Sequence, residues 1–152
     1  MPGAPILVLG WRLGGQLCAV DAGKVSHIEP SLSLRRIPRP APGVLGAGFY
    51  HGHAIPVFDF AHLLLGAADY EWPRSAVYLI IQDAGGMFAG RADGVERITQ
   101  TTTDELKLAD PKPGFPGSRF VRANLQIEGE TALLIDFRRV LRHIGVEFAP
   151  RR

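Results

Sequence analysis

Cysteine is nearly missing: Cys18 is the single one, which excludes an internal disulfide and a thiolate metal cluster and agrees with a reducing compartment. It reads as a small buried strand residue. Long apolar runs are missing too. No stretch approaches the ~18 apolar residues that a spanning helix needs, and Met1-Pro2-Gly3-Ala4-Pro5 lacks the positive segment and apolar stretch of a secretory signal. A cytoplasmic protein without membrane insertion is therefore expected. An excess of one charge is also lacking, since the formal net charge is +2 and the basic residues are dispersed except at Arg35, Arg36 and Arg39 and at Arg151-Arg152. No stacking aromatics interleave the arginine loop, so nucleic acid is not an expected partner. Gly85, Gly86, Gly90 and Gly94 are followed by no Lys-Ser or Lys-Thr pair and read as turns and a bulge, not a phosphate loop. Ser26, Ser31, Ser33, Ser75 and Ser118 sit in no nucleophile elbow, and spacing implies no His-Asp pairing. Neither catalysis nor a cofactor is expected.

What is present fits one domain with a real core: 152 residues, 46% of them hydrophobic. Eighteen glycines and twelve prolines are many for a helical bundle but suit short strands and turns, so the expected class is all-β.

The halves of the chain repeat. Leu7-Val8-Leu9, Gly14-Gly15, Leu17-Cys18-Ala19-Val20, Gly23, Val25 and Ile28 correspond to Tyr78-Leu79-Ile80-Ile81, Gly85-Gly86, Phe88-Ala89, Gly94, Val95 and Ile98. Each copy reads as strand, Gly-Gly turn, strand, and a third strand beginning at the valine. Further on, Gly52-His53-Ala54-Ile55-Pro56-Val57-Phe58-Asp59-Phe60 lies over Gly129-Glu130-Thr131-Ala132-Leu133-Leu134-Ile135-Asp136-Phe137. In both, a strand ends at an aspartate that can accept from the free amides of a short helix, and Gly66 or Gly145 closes that helix. Asp59 and Asp136 are thus expected as N-caps, with Gly52 and Pro56 as structural positions. One lobe is expected over residues 6–65 and the other over 76–141, with a linker over 67–74 and a short C-terminal helix over 137–145. About five strands per lobe are too few for a stable open sheet, so two small barrels packed together are expected. Residues 104–118 form the longest irregular stretch, and Pro38, Pro40 and Pro42 mark a second stiff loop.

These features resemble the CheW-like domain of bacterial chemotaxis. The carriers are Val25-Ser26-His27-Ile28, Ile37-Pro38-Arg39-Pro40-Ala41-Pro42, Gly46 to Gly52 followed by Ile55-Pro56-Val57-Phe58-Asp59, Phe88-Ala89-Gly90-Arg91-Ala92-Asp93-Gly94-Val95 and Leu133-Leu134-Ile135-Asp136. The resemblance implies a pair of packed five-stranded SH3-like barrels with short helices at the lobe ends. It also implies a non-catalytic adaptor that couples the regulatory domain of a CheA-type histidine kinase to the cytoplasmic tips of chemoreceptors. Where the family reads Gly-x-x-Asn-x-Arg-Gly, this chain has Gly46-Ala47-Gly48-Phe49-Tyr50-His51-Gly52, and His27 stands where glutamate is frequent. Histidine cannot copy the fixed charge and bidentate fork of arginine. These departures suit a divergent paralogue in a non-flagellar pathway such as surface motility, or one that occupies a single partner.

The candidate partner-binding residues are His27, Arg35, Arg36, Arg39, Phe49, Tyr50 and His51. Large aromatics on a surface loop often anchor interfaces; the other reading of Phe49 and Tyr50 is that they fill the cleft between barrels. A second functional class is a small-ligand or metal sensor, with His51 and His53 sharing a strand face and His62, His27 or Asp59 completing the site.

Overall fold

Four hairpins with two-residue turns organise the chain. The computed structural model describes residues 3–38, 40–108 and 114–146. Strands β1 (Pro5–Leu13) and β2 (Gln16–Asp21), β5 (Val44–Tyr50) and β6 (His53–Phe58), β7 (Val77–Asp83) and β8 (Gly86–Ala92), and β11 (Val121–Ile127) and β12 (Glu130–Ile135) pair antiparallel. Their turns are Gly14-Gly15, His51-Gly52, Ala84-Gly85 and Glu128-Gly129, and in each both residues have positive φ, between 49° and 82°. That geometry matches the right-handed twist of the flanking strands, and glycine at the second position adopts it without Cβ strain. The third turn falls one residue before the Gly85-Gly86 pair read from the sequence, and Gly86 opens β8.

The remaining strands are β3 (Val25–Glu29), β4 (Ser33–Arg35), β9 (Gly94–Thr102) and β10 (Lys107–Leu108), and helix α1 covers Phe137–Ile144. One sheet has the order β10-β11-β12-β2-β1-β9 and the other β3-β7-β8-β6-β5-β4. Each holds five longer strands and one of two or three residues. Read from opposite ends the two orders are equivalent, so the sequence repeat is a structural repeat.

The sheets do not follow the halves of the sequence, and this corrects the lobes drawn over residues 6–65 and 76–141. Hairpin β1–β2 joins β9 to β12, while β7–β8 joins β3 to β6. Two short parallel pairings make the exchange, Cys18 and Ala19 beside Leu133 and Leu134, and Ala89 and Gly90 beside Val57 and Phe58. The exchanged hairpins bury both faces, which accounts for their unbroken apolar runs. Val8, Leu17 and Ala19 pack with Leu125, Ile127 and Leu134 inside one sheet. Ile80 and Ala89 pack with Tyr50, Ile55 and Val57 inside the other. The alternate residues, including Leu9, Trp11, Cys18, Val20, Leu79, Ile81 and Phe88, meet Phe58, Phe60, Phe120 and Phe137 in the core between the sheets. Cys18 is a buried free thiol there.

Of the two aspartates in the repeat, Asp136 stands at the N-cap of α1, whereas Phe60 takes that place in the other copy and Asp59 lies one residue before it. Asp136 accepts from the amides of Arg138 (3.0 Å) and Arg139 (3.3 Å), opening α1. Asp59 accepts from the His62 amide at 3.1 Å above the π-helical turn Ala61–Leu65. Gly66 and Gly145 close the two helices in the left-handed conformation. Pro56, which has no donor, lies opposite Ala47 and one residue before the ladder to β8 begins at Val57. The linker over 67–74 is docked: the Tyr70 hydroxyl donates to Asp93 (2.8 Å), and Arg91 lies between the rings of Trp72 and Tyr78 at 5.1 and 5.3 Å. Within the long stretch 104–118, residues 109–113 lie outside the described residues.

Candidate partner-binding surfaces

Strands β3 and β9 occupy equivalent places, each at the end of its sheet. Both follow a turn of the chain after an exchanged hairpin, so the exchange brings the two edges to one side of the inter-sheet core. Between them runs a groove lined by Leu9, Ala22, Val25, Ser26, His27, Ile28 and Ile98. Ile98 is 57% exposed, and Ile28 and Val95 are each 38% exposed. Apolar side chains beside unpaired strand edges suit a protein partner, which can satisfy backbone groups and cover the aliphatic surface together. Sequence reasoning placed Val25, Ile28, Val95 and Ile98 as strand anchors but not as a site. The signal was present, since all four recur in register where the strands begin.

The structure brings together three of the sequence candidates and separates the rest. His27 on β3 reaches across to the β5–β6 turn, where the Tyr50 hydroxyl lies 2.5 Å from its Nδ1 in hydrogen-bond contact. The His51 ring lies tilted against both, its centroid 4.2 Å from that of Tyr50 and 5.8 Å from that of His27. The sheet thus curls until one end strand meets the hairpin beside the other end. Tyr50 is 9% exposed and packs on Ile55, Val57, Ile80 and Ala89. It is neither a free interface anchor nor a filler of the cleft between sheets; it is a post inside its own sheet that carries the histidine pair. Phe49, its neighbour, points the other way and is 43% exposed.

Phe49 belongs to a second surface at the β4 edge. The Arg35 guanidinium sits 5.5 Å from its ring centroid, and Ser33 lies opposite Phe49 in the ladder. Leu34, Arg36 and Ile37 are exposed beside them. An arginine over an aromatic face with aliphatic neighbours has the composition of interface cores. Arg39 lies outside the described residues.

The metal reading is not supported by this geometry. His51 occupies a turn position with φ of 49°, so strand alternation does not place it on one face with His53. The Asp59 carboxylate is engaged by the His62 amide. Among the described residues no group of three or more His, Cys, Asp or Glu side chains converges as metal ligands would.

The sequence profile of the CheW-like domain matches residues 7–145. Among solved structures, the scaffolding protein TtCheW of Thermoanaerobacter tengcongensis superposes with a TM-score of 0.77 at 17% identity, covering 87% of this chain and 89% of that one. At that identity the likeness speaks for the fold, a pair of packed SH3-like barrels. No curated protein matches the chain. With the profile spanning nearly all of the two-sheet fold, this chain belongs to the CheW-like domain family.

Proposed function

We propose that the chain is a non-catalytic adaptor of a bacterial chemosensory array that couples a CheA-type histidine kinase to chemoreceptors. The observation that carries this reading is the apolar groove between the equivalent edges β3 and β9, with Ile28 and Ile98 exposed on its rims. Family membership and the likeness to a scaffolding protein support it. In this reading the groove takes the helical cytoplasmic tip of a receptor, as amphipathic helices commonly seat in apolar grooves. The kinase regulatory domain takes the β4 edge, with Phe49, Leu34 and Arg35 as anchors. The adaptor works in the cytoplasm; no described helix is long and apolar enough to cross a membrane.

A second reading, a member that serves a non-flagellar pathway or engages one partner only, is favoured by the His27–Tyr50–His51 cluster. It places two histidines where the family carries a glutamate and an arginine.

The test uses purified kinase regulatory domain and a receptor-tip fragment from the same bacterium. Ile28→Asp with Ile98→Asp is expected to weaken receptor binding at least tenfold, ~1.4 kcal/mol, and to leave kinase binding within twofold. Phe49→Ala with Leu34→Asp is expected to do the reverse. If neither pair changes either affinity, both surfaces are misassigned. If the chain binds one partner only, the one-sided reading replaces the coupling one.

A further inference from the structure

A third surface shares no residue with the groove or the β4 edge. Every exposed side chain of α1 is basic or a histidine: Arg138, Arg139, Arg142 and His143, while Phe137, Val140 and Leu141 face the core. Arg119 extends the face. Its guanidinium lies 5.2 Å from the Phe120 ring, whose edge meets the His143 ring at 5.4 Å. Arg139 ties the helix to the same corner by donating to the carbonyls of Arg119 (3.4 Å) and Val121 (3.2 Å).

Fold stability explains part of this cluster. Arg142 and His143 complement the negative end of the helix dipole, but Arg138 and Arg139 stand in the first turn, where positive charge is unfavourable. They are partly offset by Asp83 at 3.4 Å and Asp136 at 3.4 Å, with the arginine side chains still 67% and 47% exposed. Among the described residues no carboxylate pairs with Arg119 or Arg142. Arg119, Arg138, Arg139 and Arg142 thus place four guanidinium groups on one corner, against the carboxylates of Asp83 and Asp136.

We infer that this face docks an acidic, carboxylate-rich polypeptide segment of a partner protein. The cations are arginines, not lysines, and the planar five-donor fork pairs bidentately with carboxylates. The face spans one eight-residue helix, about 12 Å, which fits a short segment. Single strands are commonly held on exposed rings, and Phe120 is 2% exposed beneath Arg119 and His143. Anionic membrane would need an apolar helix face free to insert, and that of α1 is buried in the core. The inference stands independently of the adaptor reading.

The experiment is fluorescence anisotropy on the full chain with a fluorescein-labelled glutamate-rich dodecapeptide, a dodecanucleotide and phosphatidylglycerol vesicles as separate probes. The peptide is expected to bind at about 50 mM salt and to weaken by about 300 mM, as screening shortens the Debye length. Arg119→Glu with Arg142→Glu is expected to lower that affinity at least tenfold with an unchanged melting temperature, whereas Arg35→Glu leaves it within twofold. Should the double variant melt early, Arg142→Gln reads the same surface with a smaller loss. Absence of peptide binding, or equal binding by the charge-reversed chain, overturns the proposal. Tighter capture of the nucleotide or of vesicles overturns the assignment of the partner as protein.

Discussion

Gly90 lies directly against the ring of Phe60, and replacing it with alanine should loosen the whole fold. It lies in β8, opposite Leu79 on one side and Phe58 on the other. A Cβ built there would stand 2.1 Å from two ring carbons of Phe60 and 2.6 Å from a third. Phe60 has little freedom to yield: it is fully buried, stacks on Phe137 at 5.5 Å and contacts Trp11 at 5.6 Å. Over-packing of this kind typically costs about 1–3 kcal/mol, because the ring must leave its rotamer or the backbone must shift. For a domain of this size each kcal/mol lowers the melting temperature by about 2–4 °C, so Gly90→Ala should melt roughly 2–12 °C early. The assay is a double-mutant cycle by chemical denaturation with Phe60→Ala, which alone should cost about 3–5 kcal/mol as a cavity. The pair should be less destabilised than the sum of the singles by about 0.5–3 kcal/mol, since the new methyl fills space the ring vacates. Wild-type stability for Gly90→Ala, or strict additivity, would refute the packing argument.

The split between adjacent aromatics is testable in the same way. Tyr50→Ala should cost about 3 kcal/mol or more, as for other buried aromatics, whereas Phe49→Ala should stay within about 0.5 kcal/mol and weaken kinase binding instead. Asp136→Ala should cost about 1 kcal/mol through the loss of its two cap hydrogen bonds, and Asp136→Asn much less, read by urea denaturation. Burial raises the Tyr70 phenol above its ordinary 10.0, with its hydrogen bond to Asp93 adding to the shift. The group titrates later when folded, so its contribution is fully present below pH 10.0 and is lost as pH rises through the folded value. Ultraviolet titration should show a late-ionising phenol, and Tyr70→Phe should remove that step.

The strands, turns and caps were legible because their signals are local. Glycine pairs marked hairpins, and the Asp-Phe repeat marked the start of α1 at its cap and the other helical turn to within a residue. Which sheet each hairpin joins was not legible, because the exchange rests on parallel pairings of only two residue pairs each, between segments far apart in sequence. The depth of Tyr50 was hidden for a different reason. The inward positions of β5 are Gly46, Gly48 and Tyr50, so its buried face shows no aliphatic alternation. Those glycines answer close approach, since a Cβ on Gly46 would meet the Arg35 carbonyl oxygen at 2.2 Å and one on Gly48 would meet Leu32 at 2.7 Å. Gly90, read from sequence as a turn or bulge, belongs to the same class. The groove itself needed the exchange, because only that topology sets β3 beside β9. The arginines of α1 were visible one by one, but their gathering with Arg119 depends on the corner formed with Phe120.

In the proposed function one chain holds two partners at once through separate surfaces. The most direct measurement is the mass, by light scattering after size exclusion, of a mixture of this chain, the kinase regulatory domain and a receptor-tip fragment. A ternary complex is expected, which Ile28→Asp with Ile98→Asp reduces to chain plus kinase. Two binary complexes that never combine, or a ternary complex indifferent to the groove, would contradict it.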